Sequence, residues 1–273
     1  MLNLQIIVAD DASPVPFPSG EGYELVRREK NGGYGSACNS GAALAKHDQL
    51  LFLNSDLQVD DHFVADLFAA ASPWQPAVTS PAILEPRGPN AVPRKFPKPI
   101  HYVVEWLVPL ARFHGHQWLH AAGGHDMPAV NSEHAVVTDW LVGACHMMPT
   151  ADFRAVGGFD EAFFMNCEET DLHLRLRKER GLPCVFLPEV QAEHGAGGSS
   201  DPTRRSGWLL DSRFRYAHKW GGAQRLHVGL LAASWVNWLW NSQRQIRGLD
   251  VHANRVLRQQ LAWIGHGWKE RGR

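Results

Sequence analysis

The sequence is poor in cysteine. Four residues, Cys38, Cys145, Cys167 and Cys184, form no C-x-x-C pair among 273 positions. That excludes a zinc ribbon and a disulfide-built scaffold, and it suits a reducing compartment. Long apolar runs are missing too. Leu226 to Trp240 is apolar for 15 residues and holds His227 and Asn237, short of the roughly 18 needed to span a bilayer. Met1-Leu2-Asn3-Leu4-Gln5 has no basic start and no apolar h-region, so no secretory leader is expected and the location expected is cytoplasmic. Neither G-x-G-x-x-G nor a lysine-bearing phosphate loop occurs.

What is present suits a folded chain. Apolar residues make up 44% and charged residues 20%, enough for one large domain, or one domain with an appendage. The net charge of -1 conceals a division. Residues 204–273 carry 13 Lys and Arg against three acids, and residues 1–203 carry 14 against 25. An acidic body with a basic tail points to two surroundings. Nucleic acid is not expected as a partner, because no recognition motif accompanies the tail and the body is acidic.

The patterning is α/β. Gln5 to Ala9 and Leu50 to Leu53 read as buried parallel strands, with a helix near Ala37 to Ala45 between them. Asp61 to Ala71 reads as a surface helix. Residues 72–135 read as irregular, with prolines at 73, 76, 81, 86, 89, 93, 97 and 99 and a short helix at His101 to Leu110. Trp140 to Met148 reads as one strand, Glu169 to Arg180 as a helix ended by Gly181, and Cys184 to Leu187 as a strand before Pro188.

Asp10 and Asp56 follow strand ends, where open α/β sheets bind ligands. Either is equally readable as a turn former or helix cap. Asn31 to Gly41 is a small-residue loop entering a helix, able to admit an anion or to be a tight turn. Glu168, Glu169 and Asp171 crowd three carboxylates. Crowding raises pKa values and suits a general base, while an acidic first turn also complements the helix dipole. His194 stands beside a glycine-rich stretch, as a metal ligand or an ordinary surface residue.

Taken in order, these segments resemble the family 2 inverting glycosyltransferases of the GT-A fold, near the bacterial rhamnosyltransferase-like branch. Ile7 to Ser13 resembles "VVDNAS". Asn31 to Gly41 resembles "N-x-G-x-x-x-x-x-N-x-G", and Phe52 to Asp56 resembles "FLNPD". Arg94 to Pro97 resembles "R-x-F-P", and Asp139 to Ala144 resembles "DWVSGA". Gly157 to Met165 resembles "GGFDExFFMY", Glu168 to Leu172 resembles "EDxDL", and His194 resembles the histidine after the last core strand. Arg213 to Gly222 resembles the segment that follows the family's core.

The resemblance implies a GT-A, Rossmann-like sheet over 1–205 and a basic, Trp-rich helical tail over 206–273. It implies donor nucleotide contacts at Asp10, Asn31, Gly33, Asn39, Asn54 and Ser55. Mg²⁺ or Mn²⁺ would sit at Asp56 and His194. Asp139, Trp140 and Gly143 would lie near sugar and acceptor. Glu169 would be the base, with Glu168 and Asp171 orienting it or touching the acceptor. Partners would be a nucleotide diphosphate sugar and a glycan or lipid-linked acceptor.

Three departures stand beside it. The family opens with a "V-x-Y-N" strand and a helix, and this chain starts at the strand after them. Glu169 replaces an aspartate, and Asp11 an asparagine. The alternative function is a non-catalytic, glycosyltransferase-like binding protein. In the tail, the stretch with helical spacing from Ile246 to Ile264 and the tryptophans at 235, 238, 240, 263 and 268 could lie on an anionic membrane at its inner face, with packing on the body as the alternative and as the reading for Leu226 to Trp240.

Overall fold

The computed structural model describes residues 3–85, 88–195 and 202–269. The strands are β1 (Ile7–Asp10), β2 (Glu24–Arg27), β3 (Gln49–Leu53), β4 (Leu57–Gln58), β5 (Val78–Glu85), β6 (Gly88–Pro89), β7 (Pro93–Arg94), β8 (Val136–Thr138), β9 (Trp140–Leu141), β10 (Cys145–Pro149) and β11 (Cys184–His194). The helices are α1 (Tyr34–Ala43), α2 (Phe63–Ala71), α3 (Pro99–Trp106), α4 (Gln117–Ala122), α5 (Met127–Val130), α6 (Thr150–Ala155), α7 (Glu168–Arg175), α8 (Pro202–Trp220), α9 (Ala223–Ile246) and α10 (Ala253–Lys269). The chain clusters into two units, one of residues 1–95 and 128–199 and one of 96–127 and 200–273. The segment 96–127, read from sequence as part of the first domain, therefore groups with the C-terminal helices.

The first unit is built on a seven-stranded mixed sheet with the path β3-β10-β5-β11-β4. Cys184 to Leu187 is wholly buried because β11 has β5 on one side and β8 on the other. A strand covered on both faces reads as an unbroken apolar run. Phe63, Leu67 and Ala71 recur at i, i+4 and i+8 of α2, and all three are buried in the core that contains β11.

Four expectations are corrected. The region after residue 72 is not irregular throughout, since β5 is a buried central strand despite Pro81. Pro81 stands opposite Leu187, where the β5–β11 register breaks before Gln191. β10 bridges β5 only at Met147 and Thr79. A proline without an N–H is tolerated where the ladder is interrupted. Second, β11 runs through Pro188 to His194 across that same break. Third, Trp140 to Met148 is two strands, β9 and β10, parted at 142–144. Fourth, β1 and β3 belong to different sheets, with β1 paired to β2 alone.

The second unit is helical. Tyr102, Leu210, Phe214, Leu226, Leu230 and Ile264 form its core. Asn237 of α9 is fully buried, and it serves the end of α3. Its Nδ2 donates to Trp106 O at 2.8 Å, and its Oδ1 accepts from Val108 N–H at 2.8 Å. Groups orphaned at a helix end are thereby satisfied.

Candidate active site

The break at 142–144 is where four of the motif segments meet. Tyr34, first residue of α1, donates its hydroxyl to Gly143 O at 2.9 Å. Asn54 N–H donates to Ala144 O at 3.0 Å, tying in the turn that carries Asp56. Val142 N–H donates to Val92 O at 3.1 Å, which anchors the stretch before Arg94. A Cβ on Gly143 would stand 3.3 Å from Glu169 Oε1, so α7 approaches this backbone as closely as a glycine permits.

Beneath the break lies a buried histidine pair. The rings of His146 and His173 meet edge to face with centroids 4.7 Å apart. His146 Nε2 bonds Val142 O at 2.7 Å, and Leu141 N–H donates to His173 Nδ1 at 3.4 Å. Burial pushes His146 down to about 4, and it also lowers His173, with help from His146 and Arg175. Two neutral rings therefore fasten this hairpin to α7. No feature of the sequence marked either one.

The turn into α7 is strained. Asn166 and Cys167 both take left-handed backbone, with φ of 67° and 65°, a cost of roughly 1–3 kcal/mol each that clusters at functional sites. It delivers Glu168 and Glu169 to a largely desolvated position. Burial raises Glu168 well above the usual carboxylate range, and the charge of Glu169 raises it further. Burial raises Glu169 as well, but there its own N–H, that of Gly143, the Arg94 guanidinium and the Thr170 N–H pull the other way. Both carboxyls are thus pushed upward by burial, and Glu169 alone of the two also feels the opposing pull of Arg94 and Gly143.

His194 Nε2 lies 3.1 Å from Asp56 Oδ2, and Glu85 Oε1 lies 3.8 Å from His194 Nδ1. β4 and β11 bring them together, with Leu57 opposite His194. Cis ligands about 2.1 Å from a hard divalent cation stand about 3 Å apart, which the Asp56–His194 pair matches. Of the two donors, the carboxylate oxygen is the one that suits Mn²⁺ or Mg²⁺, and no group of three His, Cys, Asp or Glu that could hold a metal occurs among the described residues. Glu85 lies on the side of the far ring nitrogen, beyond hydrogen-bond reach.

Other expected residues are engaged by the protein itself. Asp10 is buried. It accepts from Ser13 N–H at 2.9 Å and Phe17 N–H at 3.1 Å and pairs with Arg27, and these contacts, Ser13 foremost, hold it far below the usual range. Asp11 accepts from Gly32 and Gly33 N–H at 3.0 and 2.8 Å and meets Arg28 Nε at 2.9 Å. Asn31 Oδ1 accepts from Gly33 N–H at 3.1 Å. The N–H groups of that loop thus point at side chains of the chain. Asn39 donates to Phe159 O and Glu161 Oε1 at 2.9 and 3.0 Å and accepts from Phe159 N–H at 2.9 Å, fastening two motifs to each other. Asp171 is fully buried and accepts from Arg175 Nε at 2.8 Å, a structural pair. Asp139 pairs with Arg177 at 2.8 Å. Trp140 donates Nε1 to Lys95 O at 3.0 Å. Ser55 is exposed, and Asn54 half-buried.

Residues 1–98 match the model of glycosyl transferase family 2. Rhamnosyltransferase WbbL of Escherichia coli is 38% identical over 82 residues, 29% of this chain and 31% of that protein. The N-acetylglucosaminyl-diphospho-decaprenol L-rhamnosyltransferase of Mycobacterium tuberculosis is 30% identical over 215 residues, 70% of this chain and 66% of that protein. The chain belongs to the family 2 glycosyltransferases. Its mixed α/β sheet is the GT-A class expected of that family. The chain spans just under two thirds of the length of the mycobacterial relative and under a third of the other. A solved structure of GalNAc-T7 with UDP, GalNAc and Mn²⁺ superposes with a TM-score of 0.48 at 13% identity, over 91% of this chain and 45% of that one.

Proposed function

We propose that this chain transfers a sugar, rhamnose-like or another hexose, from a nucleotide diphosphate donor to a hydroxyl of a surface-glycan or lipid-linked acceptor, inverting the anomeric centre. The observation that carries the reading is the meeting of the 31–41 loop, the Asp56 turn and the Glu169 helix at Gly143 and Ala144. The related mycobacterial protein, whose name specifies a diphospho-decaprenol acceptor, supports a lipid-linked acceptor here.

Glu169, beside Glu168 in the first turn of α7, takes the proton of the acceptor hydroxyl. The acceptor oxygen bonds to the anomeric carbon as the bond to the diphosphate oxygen breaks on the opposite face, and its electron pair leaves with the diphosphate. Gly143 and Tyr34 fix the wall against which Glu169 rests, and a misplacement near 1 Å at such a wall costs about a hundredfold in rate. Asp56 and His194 would hold Mg²⁺ or Mn²⁺. That cation, when bound, would offset the charge building on the diphosphate. Arg94 adds fixed positive charge near Glu169.

A second reading, a non-catalytic binding protein, draws on a specific observation. Asp10 and Asn39, two of the expected donor contacts, spend their polar atoms on the chain itself. One assay separates the two. UDP-, dTDP- and GDP-sugars are offered with an N-acetylglucosaminyl-diphospho-lipid and Mn²⁺, and nucleoside diphosphate release and product configuration are read. Release with an inverted linkage, abolished in Glu169→Gln, supports the transferase. Donor binding without release supports the second reading.

A further inference from the structure

α9 has two unlike faces. Leu226, Leu230, Ala233, Ser234, Asn237 and Asn241 are buried. About half a turn away, Val228, Ala232, Trp235, Val236, Leu239 and Ile246 fall within roughly a 100° arc, at helical spacing. They are exposed: Val228 at 59%, Trp235 at 51%, Leu239 at 62% and Ile246 at 86%. At 1.5 Å per residue this apolar ridge runs about 17 Å from Val228 to Leu239, and exposed Gln243 on the same arc parts it from Ile246. α10 is the opposite case, since it exposes Asn254, Arg255, Arg258, Gln259, His266 and Lys269.

The sequence from α8 through α9 is basic. Between Asp211 and Asp250 the chain carries six Lys and Arg and no carboxylate. Arg225 stands one turn before Val228 on the same arc, and Arg247 follows Ile246. No helix of the described residues is long and apolar enough to cross a membrane. A Trp-bearing apolar stripe with Arg225 before it and Arg247 after it, and no acid within α9 itself, fits the plane of an anionic bilayer surface.

We infer that α9 lies in the interface of an anionic membrane, with Val228 to Leu239 among the acyl chains and Arg225 and Arg247 at the headgroups. This puts the membrane face on the helix that holds Leu226 to Trp240, the stretch read from sequence as packing on the body. The inference deepens the lipid-linked part of the reading above, and its test needs neither donor nor acceptor.

The test is flotation of the full chain with vesicles of phosphatidylcholine alone and of phosphatidylcholine with phosphatidylglycerol at 3:1. Binding to the anionic vesicles is expected, weakened by added salt. Trp235→Gln with Leu239→Gln should lower it at least tenfold, and Arg225→Gln with Arg247→Gln about 25-fold, following the roughly fivefold worth of each interfacial cation. Circular dichroism and light scattering accompany each variant. Folded protein that floats with neither vesicle overturns the inference. So does binding unchanged in both variants, and so does a stable dimer that Trp235→Gln with Leu239→Gln converts to monomer.

Discussion

His194 Nε2 and Asp56 Oδ2 stand 3.1 Å apart, although most of the first unit's sequence lies between them. The β4–β11 pairing creates this contact, and it accounts for a histidine held next to an exposed aspartate. If the pair holds a cation, His194→Ala should weaken Mn²⁺ binding about 10- to 100-fold, and Glu85→Gln should weaken it less, since Glu85 lies beyond hydrogen-bond reach of the ring. Manganese titration followed by electron paramagnetic resonance measures both. Equal affinity in His194→Ala would remove that residue from the site.

Glu169→Gln should lower kcat by at least about a hundredfold and leave donor affinity nearly unchanged, the pattern of a base removed without a binding contact. The acid limb of kcat should lie above the ordinary carboxylate value of 4.5, because burial raises Glu169. Activity needs the charged form, so it is present above the raised pKa and falls as pH drops through it. A limb at or below the ordinary value would contradict the assignment.

Glu168→Gln makes a stability prediction of definite sign. Glu168 binds its proton more tightly folded than unfolded, so its favourable contribution is full below 4.5 and fades as pH rises toward the folded pKa. The glutamine variant does not titrate. Its melting temperature should gain on the parent as pH climbs above 4.5, and a gap constant with pH would contradict a raised Glu168.

Asp171→Ala should destabilise the fold by about 3–5 kcal/mol, since it strands Arg175 in a buried position. Denaturant unfolding reads the loss directly. An Asp171→Ala protein of normal stability and abolished turnover would return this carboxylate to the chemistry.

Gly33→Ala should cost at least about 1–3 kcal/mol from its positive φ of 87° alone. Its Cβ would also stand 1.8 Å from Phe164 O. Normal unfolding midpoints in this variant would contradict the described loop.

Much of this was legible in the chain. Asp56 stood out because it follows a strand end, His194 because it stands beside a glycine-rich stretch, and Glu169 because three carboxylates crowd one helical turn. β5 was hidden by its prolines: the break in pairing that makes Pro81 tolerable lies in β11, far along the chain. The parting at 142–144 was hidden because Trp140 to Met148 is apolar on both sides of Gly143. Asp10 and Asn39 looked like ligand groups because a sequence shows a carboxylate or an amide but not its partners. Asp171 and Arg175 stand four apart on a helix, and that spacing did foreshadow an ion pair.

The central claim is a cation-assisted nucleotide-sugar site around Asp56. The most direct measurement compares the parent chain with Asp56→Ala by thermal shift, using UDP-, dTDP- and GDP-sugars with Mn²⁺, Mg²⁺ or EDTA. A ligand at 100 times its Kd adds about 2.7 kcal/mol, a rise of several degrees. The account predicts that rise with one nucleotide base, only with metal, and its loss in Asp56→Ala. A rise that survives both EDTA and Asp56→Ala, or none with any donor in the folded parent, would contradict it.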